Sequence, residues 1–142
     1  MAKYCYENDI PCLGICAGQN NIVRALGRTI CKIPNPEEHD KNFDDYVHNI
    51  TIDENSKFYN IVKTNKMMVN SRHKMTIKNC PKLEKVAFCP DGYPDVVEAN
   101  NKTFYIGVRF HPESLYLKDE NHNKIFKKFI ESCRKQNNYR NK

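Results

Sequence analysis

Residues 11–22 read PCLGICAGQNNI, and the fold class turns on whether this stretch is a strand that breaks sharply into a helix. Ile10 to Ile15 form a short apolar run of the kind expected for a strand buried on both faces. Gly14 to Gly18 supply the turn. Ile22, Val23 and Leu26 then have the spacing of one helix face, with Gly27 just past its end. Strand, tight turn and helix in that order predict an α/β fold in which a strand's carboxyl end meets a helix's amino end.

Residues 1–9 read as the end of a helix, with Tyr4 and Cys5 near the core. Residues 34–45 are polar, acidic and interrupted by proline, which predicts a surface loop. YVHNITID has the alternation of a half-buried strand, and SKFYNIV reads as a short helix or turn carrying Phe58 and Ile61. MMVNSRHKMTI predicts two strands, with Asn70-Ser71-Arg72-His73-Lys74 exposed at the loop between them. Asp91-Gly92 marks a turn between two further strands, and KTFYIGVRF is a last strand ending at His111-Pro112-Glu113. From about Asn121 an amphipathic helix is expected, with Ile125, Phe126, Phe129, Ile130 and Cys133 on the face toward a sheet.

The 142 residues suit one domain with a real core. The chain holds no apolar run of membrane-spanning length and opens without a secretory pattern, so the expectation is a cytoplasmic protein with no membrane partner. Its seven cysteines are odd in number and contain no CxxC pair, which favours reduced thiols over a disulfide framework or a zinc ribbon. The five histidines are scattered without ligand spacing, so no metal and no cofactor are expected. The formal charge of +6 comes largely from KIFKKFIESCRKQNNYRNK. No aromatic-basic pattern accompanies it, and a solvated helix face rather than a nucleic-acid surface is expected.

A thiol at a strand-to-helix turn is exposed, and the helix amino end favours its anionic form. Cys16 therefore has the setting of a nucleophile, with Gly14 and Gly18 leaving room for a tight turn and the Ala17 N–H placed to meet an oxyanion. Cys12 reads as core. His111 and Glu113 lie two apart at a strand end, stiffened by Pro112, so a carboxylate could orient an imidazole there. Thiol, imidazole and carboxylate together have the form of a nucleophile-base-orienter triad.

GICAGQ followed far downstream by GVRFHPES resembles the class I glutamine amidotransferase superfamily, whose signature is GxCxGxQ with a later HPE. HNITIDENSKFYNIV, VNSRHKM, and PDG with VVEA resemble the gamma-glutamyl-gamma-aminobutyrate hydrolase branch in that order. The resemblance implies a partial flavodoxin-like domain with a mostly parallel central sheet, Cys16 as nucleophile, His111 as base and Glu113 as orienting acid. It places Gln19, Asn70, Ser71 and His73 on the substrate side. The implied activity is hydrolysis of a small-molecule gamma-glutamyl amide through a thioester. The alternatives are a glutaminase chain supplying ammonia to a synthase and a non-catalytic remnant acting as a binding partner. The amine leaving group is left open.

The branch's loop typically reads NSxHHQ, whereas this chain has Lys74 and Met75 at the last two positions. Arg109 stands where glutamine is common, and it, Arg72 and Lys74 are extra cations that either select an acidic leaving group or are simply solvated, the second being the expectation. The resemblance covers only the later part of the family domain. Residues 1–142 are accordingly expected to form a single domain truncated at its amino end, without the glycine-rich loop that gives a second oxyanion donor. That loss predicts weak or no turnover by this chain alone, and self-association or a complementary amino-terminal chain as partner.

Overall fold

The computed structural model describes all residues except Arg28, Asn35, Phe43, Asp44, Lys74, Asn141 and Lys142. Helix α1 (Ala2–Glu7) leads into strand β1 (Cys12–Ile15) and helix α2 (Ala17–Ala25). Strands β2 (Thr29–Lys32), β3 (Asp40–Asn42) and β4 (His48–Ile52) precede helix α3 (Lys57–Val62). Then come β5 (Lys66–Val69), β6 (Ser71–Arg72), β7 (Met75–Asn79), β8 (Glu84–Phe88), β9 (Pro94–Glu98), β10 (Tyr105–Val108) and helix α4 (Glu120–Arg140).

The central sheet has six strands in the order β1-β10-β9-β8-β4-β5. The α/β class stands, but the expectation of a mostly parallel sheet is corrected. Among the described strands only β1 and β10 pair in parallel in this sheet, and the other neighbours are antiparallel. Short connections explain the difference, because a tight turn such as the one at Gly92 (φ +86°) can join only antiparallel strands. Two small antiparallel pairs, β2 with β7 and β3 with β6, complete the described strands.

Period-two alternation in β9 and β10 builds a core on each sheet face. Val96, Ile106 and Val108 join Phe58, Val62 and Ile125 on one side, while Val97 and Tyr105 join Ile22, Val23 and Leu26 on the other. Fully burying one such side chain contributes about 1.5–3 kcal/mol. Helix α3 is too short to persist alone. Ser56 caps it by accepting from the Tyr59 N–H, and the buried Glu98 carboxylate accepts from the N–H groups of Lys57 and Phe58.

Several expectations change here. Cys5 is buried but Tyr4 is 60% exposed. Within β1 only Gly14 is fully buried, because the strand is one of the two at the edges of the sheet. On α4, Ile125 is buried as expected, but Ile130 is exposed. His39 lies in the stretch read as surface loop, part of which falls outside the described residues, and is 1% exposed. Asn70, Ser71 and His73 are buried rather than exposed, since polar residues can be interior wherever partners satisfy them. Lys74 lies outside the described residues. No helix among the described residues is long and apolar enough to cross a membrane.

Candidate functional site

The site sits where β1 gives way to α2. Cys16 occupies the turn with φ +52° and ψ −101°, a left-handed conformation that strains any L-residue. Its N–H donates to the Val108 carbonyl at 2.8 Å, and its own carbonyl accepts from the Gln19 N–H at 3.0 Å to open α2. Strand and helix approach so closely that a Cβ on Gly14 would lie 2.7 Å from the Gly18 carbonyl oxygen and 2.6 Å from Ile22 Cδ1. Gly14 is thus required by packing. Gly18 is not, contrary to expectation, because a Cβ there would meet nothing within 4 Å.

Strand β10 ends beside β1 and delivers His111. Its Nδ1 donates to Glu113 Oε1 at 2.6 Å, the only sense open to an ionised carboxylate. The ring also hydrogen-bonds to the Cys16 thiol, which is the largest cause raising its pKa above the ordinary imidazole value. Glu113 adds to that rise and burial opposes it. Thiol, imidazole and carboxylate are thereby brought to one site, with the imidazole between the other two in its influence on proton position. Cys16 can there pass its proton to a ring already oriented to hold it.

The residues expected on the substrate side turn out to be buried beneath this site. The Asn70 side chain grips the backbone of His111 at two points: its Nδ2 donates to the His111 carbonyl at 2.9 Å, and its Oδ1 accepts from the His111 N–H at 2.7 Å. Ser71 Oγ donates to the His39 carbonyl at 2.6 Å. His73 Nδ1 lies 3.1 Å from the Met75 carbonyl, and burial pushes this imidazole down to about 4, so it is neutral at pH 7. Gln19 is fully buried, with Nε2 donating to the carbonyls of Asp95 (3.1 Å) and Gly107 (2.9 Å). Its side chain ties α2 to the β9–β10 pair. Counted from the cysteine, the glutamine of GxCxGxQ falls on Asn20 in this chain.

Arg109 corrects a further expectation. It is 1% exposed, not solvated, and its Nη1 donates to Asn20 Oδ1 at 2.6 Å. Arg72 is exposed, and its backbone carbonyl accepts from Cys16 Sγ at 3.8 Å. Asp95, buried in β9 with His48 Nε2 3.4 Å from its Oδ2, was missed in the sequence. A lone carboxylate in the otherwise apolar PDVV run, every described position of which is buried, was the available signal. Among the described residues no three of the His, Cys, Asp or Glu side chains are placed to hold a metal ion. A cavity of about 450 Å³ between α3, α4 and the start of β10 lies at the opposite strand end from His111, and Cys16, His111 and Glu113 do not line it.

The family model described as Peptidase C26 matches residues 1–113. The gamma-glutamyl-gamma-aminobutyrate hydrolase of Escherichia coli strain K12 is 29% identical over 140 residues, covering 89% of this chain and 55% of that protein. A CTP synthase from a Hydrogenobaculum species is 30% identical over 162 residues, covering 92% of this chain and 30% of that protein. The chain thus spans about half or less of the length of these curated relatives. Among solved structures, the glutaminase domain of a Trypanosoma brucei CTP synthase with bound acivicin aligns with a TM-score of 0.73 at 18% identity, over 94% of this chain and 64% of that one. A glutamine amidotransferase from Methylobacillus flagellatus aligns with a TM-score of 0.72 at 10% identity, over 92% and 66%. These two likenesses concern the fold.

Proposed function

Because this chain belongs to the Peptidase C26 family, we propose that it cleaves gamma-glutamyl amide bonds with Cys16 as nucleophile, His111 as acid and base, and Glu113 as the group that orients the ring. The observation that carries this reading is the 2.6 Å bond from His111 Nδ1 to Glu113 Oε1, on an imidazole whose pKa the Cys16 thiol raises. The Cys16 thiolate attacks the gamma-carbonyl carbon, and the proton it gave up resides on His111. The tetrahedral oxyanion takes the Ala17 N–H, since the N–H of Cys16 is bonded to Val108. His111 then protonates the departing amine, leaving a thioester on Cys16. Water, deprotonated by the same ring, attacks that thioester and releases glutamate.

In this reading Gln19, Asn70, Ser71 and His73 act from behind the site. Asn70 fixes the height of His111, and the others fix the strands around it. Free thiols at all seven cysteines suit a reducing compartment, and the cytoplasm is proposed. The test incubates the chain with gamma-glutamyl-gamma-aminobutyrate and with glutamine, following glutamate, amine and ammonia separately. Release of amine, slow or absent for this chain alone, restored by a complementary amino-terminal chain and abolished by Cys16→Ala, is expected. Absence of any Cys16-dependent release from either substrate with that complementary chain present overturns the hydrolase reading.

The similarity to CTP synthases supports a second reading, in which the chain is the ammonia-releasing partner of a synthase. It predicts glutamine turnover that rises when a synthase domain is added. A complementary chain or self-association completing the site would instead raise turnover on either substrate in its presence.

A further inference from the structure

Two departures from the family pattern meet in space. The glutamine of GxCxGxQ falls on Asn20, and Arg109 stands where glutamine is common. They lie 89 residues apart, and Arg109 Nη1 donates to Asn20 Oδ1 at 2.6 Å. Asparagine is one methylene shorter than glutamine and arginine reaches further, so the two changes offset each other in length. Arg109 is 1% exposed, and its Nε and Nη2 have no hydrogen-bond partner among the described residues. Among those residues Asn20 alone holds the guanidinium by a hydrogen bond.

The place of this bond in the fold sets it apart. Asn20 lies in the first turn of α2, and its N–H donates to the Cys16 carbonyl at 3.3 Å. Two other bonds tie this end of α2 to β10, from the Cys16 N–H to the Val108 carbonyl and from Gln19 Nε2 to the Gly107 carbonyl. Both end within the strand, whereas Arg109 lies past it, two residues before His111. The Asn20 bond therefore reaches the segment that carries the imidazole, which Asn70 also holds, at His111 itself. We propose that the Asn20–Arg109 bond is a brace that sets how Cys16 and His111 face each other, both its members being positioning residues that act through the imidazole without touching substrate. The inference rests on reading Cys16 as nucleophile and His111 as base. A bond that only stabilised the fold would move the denaturation midpoint and leave the reactivity of the thiol alone.

Alkylation of Cys16 by iodoacetamide at pH 7, resolved by peptide mass spectrometry with the denaturation midpoint taken in parallel, separates the two. His111→Gln removes the base and should slow it. Asn20→Ala keeps a good helix former in α2 and drops the acceptor. It should slow alkylation about tenfold, since small misplacements of reacting groups carry rate penalties of this order or more. In a His111→Gln background the same change should add nothing. Arg109→Gln alone is too short to reach Asn20 and should behave like Asn20→Ala. The double variant Asn20→Gln/Arg109→Gln restores the family pair and should return the rate to within about threefold of the parent. An unchanged rate in Asn20→Ala, a slowing of the same size in the His111→Gln background, or a double variant no faster than Arg109→Gln overturns the proposal. If Arg109→Gln does not fold, Asn20→Ala with and without His111→Gln decides alone. Equal rates in the parent and His111→Gln strike the nucleophile and base reading itself, and this one with it. Turnover is not measured, so a failure of the hydrolase reading would not be mistaken for a failure of the brace.

Discussion

The turn at Cys16 and the segment Asn70–His73 both serve His111, yet they are built on opposite physical terms. The turn is mostly local: the close approach at Gly14 and the helix that Cys16 opens lie within a dozen positions, and the Cys16 N–H bond to the Val108 carbonyl ties it to the distant chain. The segment is made by distant partners, with Asn70 bonded to His111 and Ser71 to His39. A local device fails by steric conflict, whereas a non-local one fails by leaving buried polar groups unpaired.

The largest effect is expected at the turn. Gly14→Ala places a methyl against the Gly18 carbonyl and should cost about 3 kcal/mol, read as a fall in the denaturation midpoint. If Gly14→Ala is neutral, the turn is not held by close approach. Acid should break the segment instead. His73 is depressed to about 4 by burial, so its neutral form favours folding. That contribution is full above the unfolded imidazole value of about 6.5 and is lost as pH falls toward 4. It amounts to at most about 3 kcal/mol. A Tm that declines over this window in the parent and less in His73→Gln is the expected result.

Asn70→Ala strips two bonds from the backbone of His111 and should cost about 2 kcal/mol. Measured as turnover, it should lower kcat more than it raises KM, because a displaced base is not a lost substrate contact. The smallest effect belongs to Gly18→Ala. A Cβ there meets open space within α2, so the change should be neutral or stabilising by up to about 1 kcal/mol. That contrast with Gly14, four positions away, is the sharpest check on the local account.

The same contrast explains what could be read without a structure. The turn was legible because its signals lie together: an apolar run, glycines at fixed offsets and a helical period. His111 and Glu113 were legible because two residues at a strand end carry their own geometry. The interior polar layer was not. Asn70, Ser71 and His39 lie in stretches that look like surface, and their burial goes with partners 32 and 41 residues away. Arg109 looked solvated because nothing near it in sequence names Asn20, 89 residues earlier. The antiparallel majority of the sheet escaped for a related reason: each strand announces itself, but its neighbour's direction is fixed by connections that periodicity does not encode.

The left-handed backbone at Cys16 carries a cost in folding. A residue held at φ +52° costs about 1–3 kcal/mol that glycine would spare. Asp9 and Lys63 bear a positive φ as well, and at Cys16 the role proposed for the sulfur supplies a reason for a side chain to stand there.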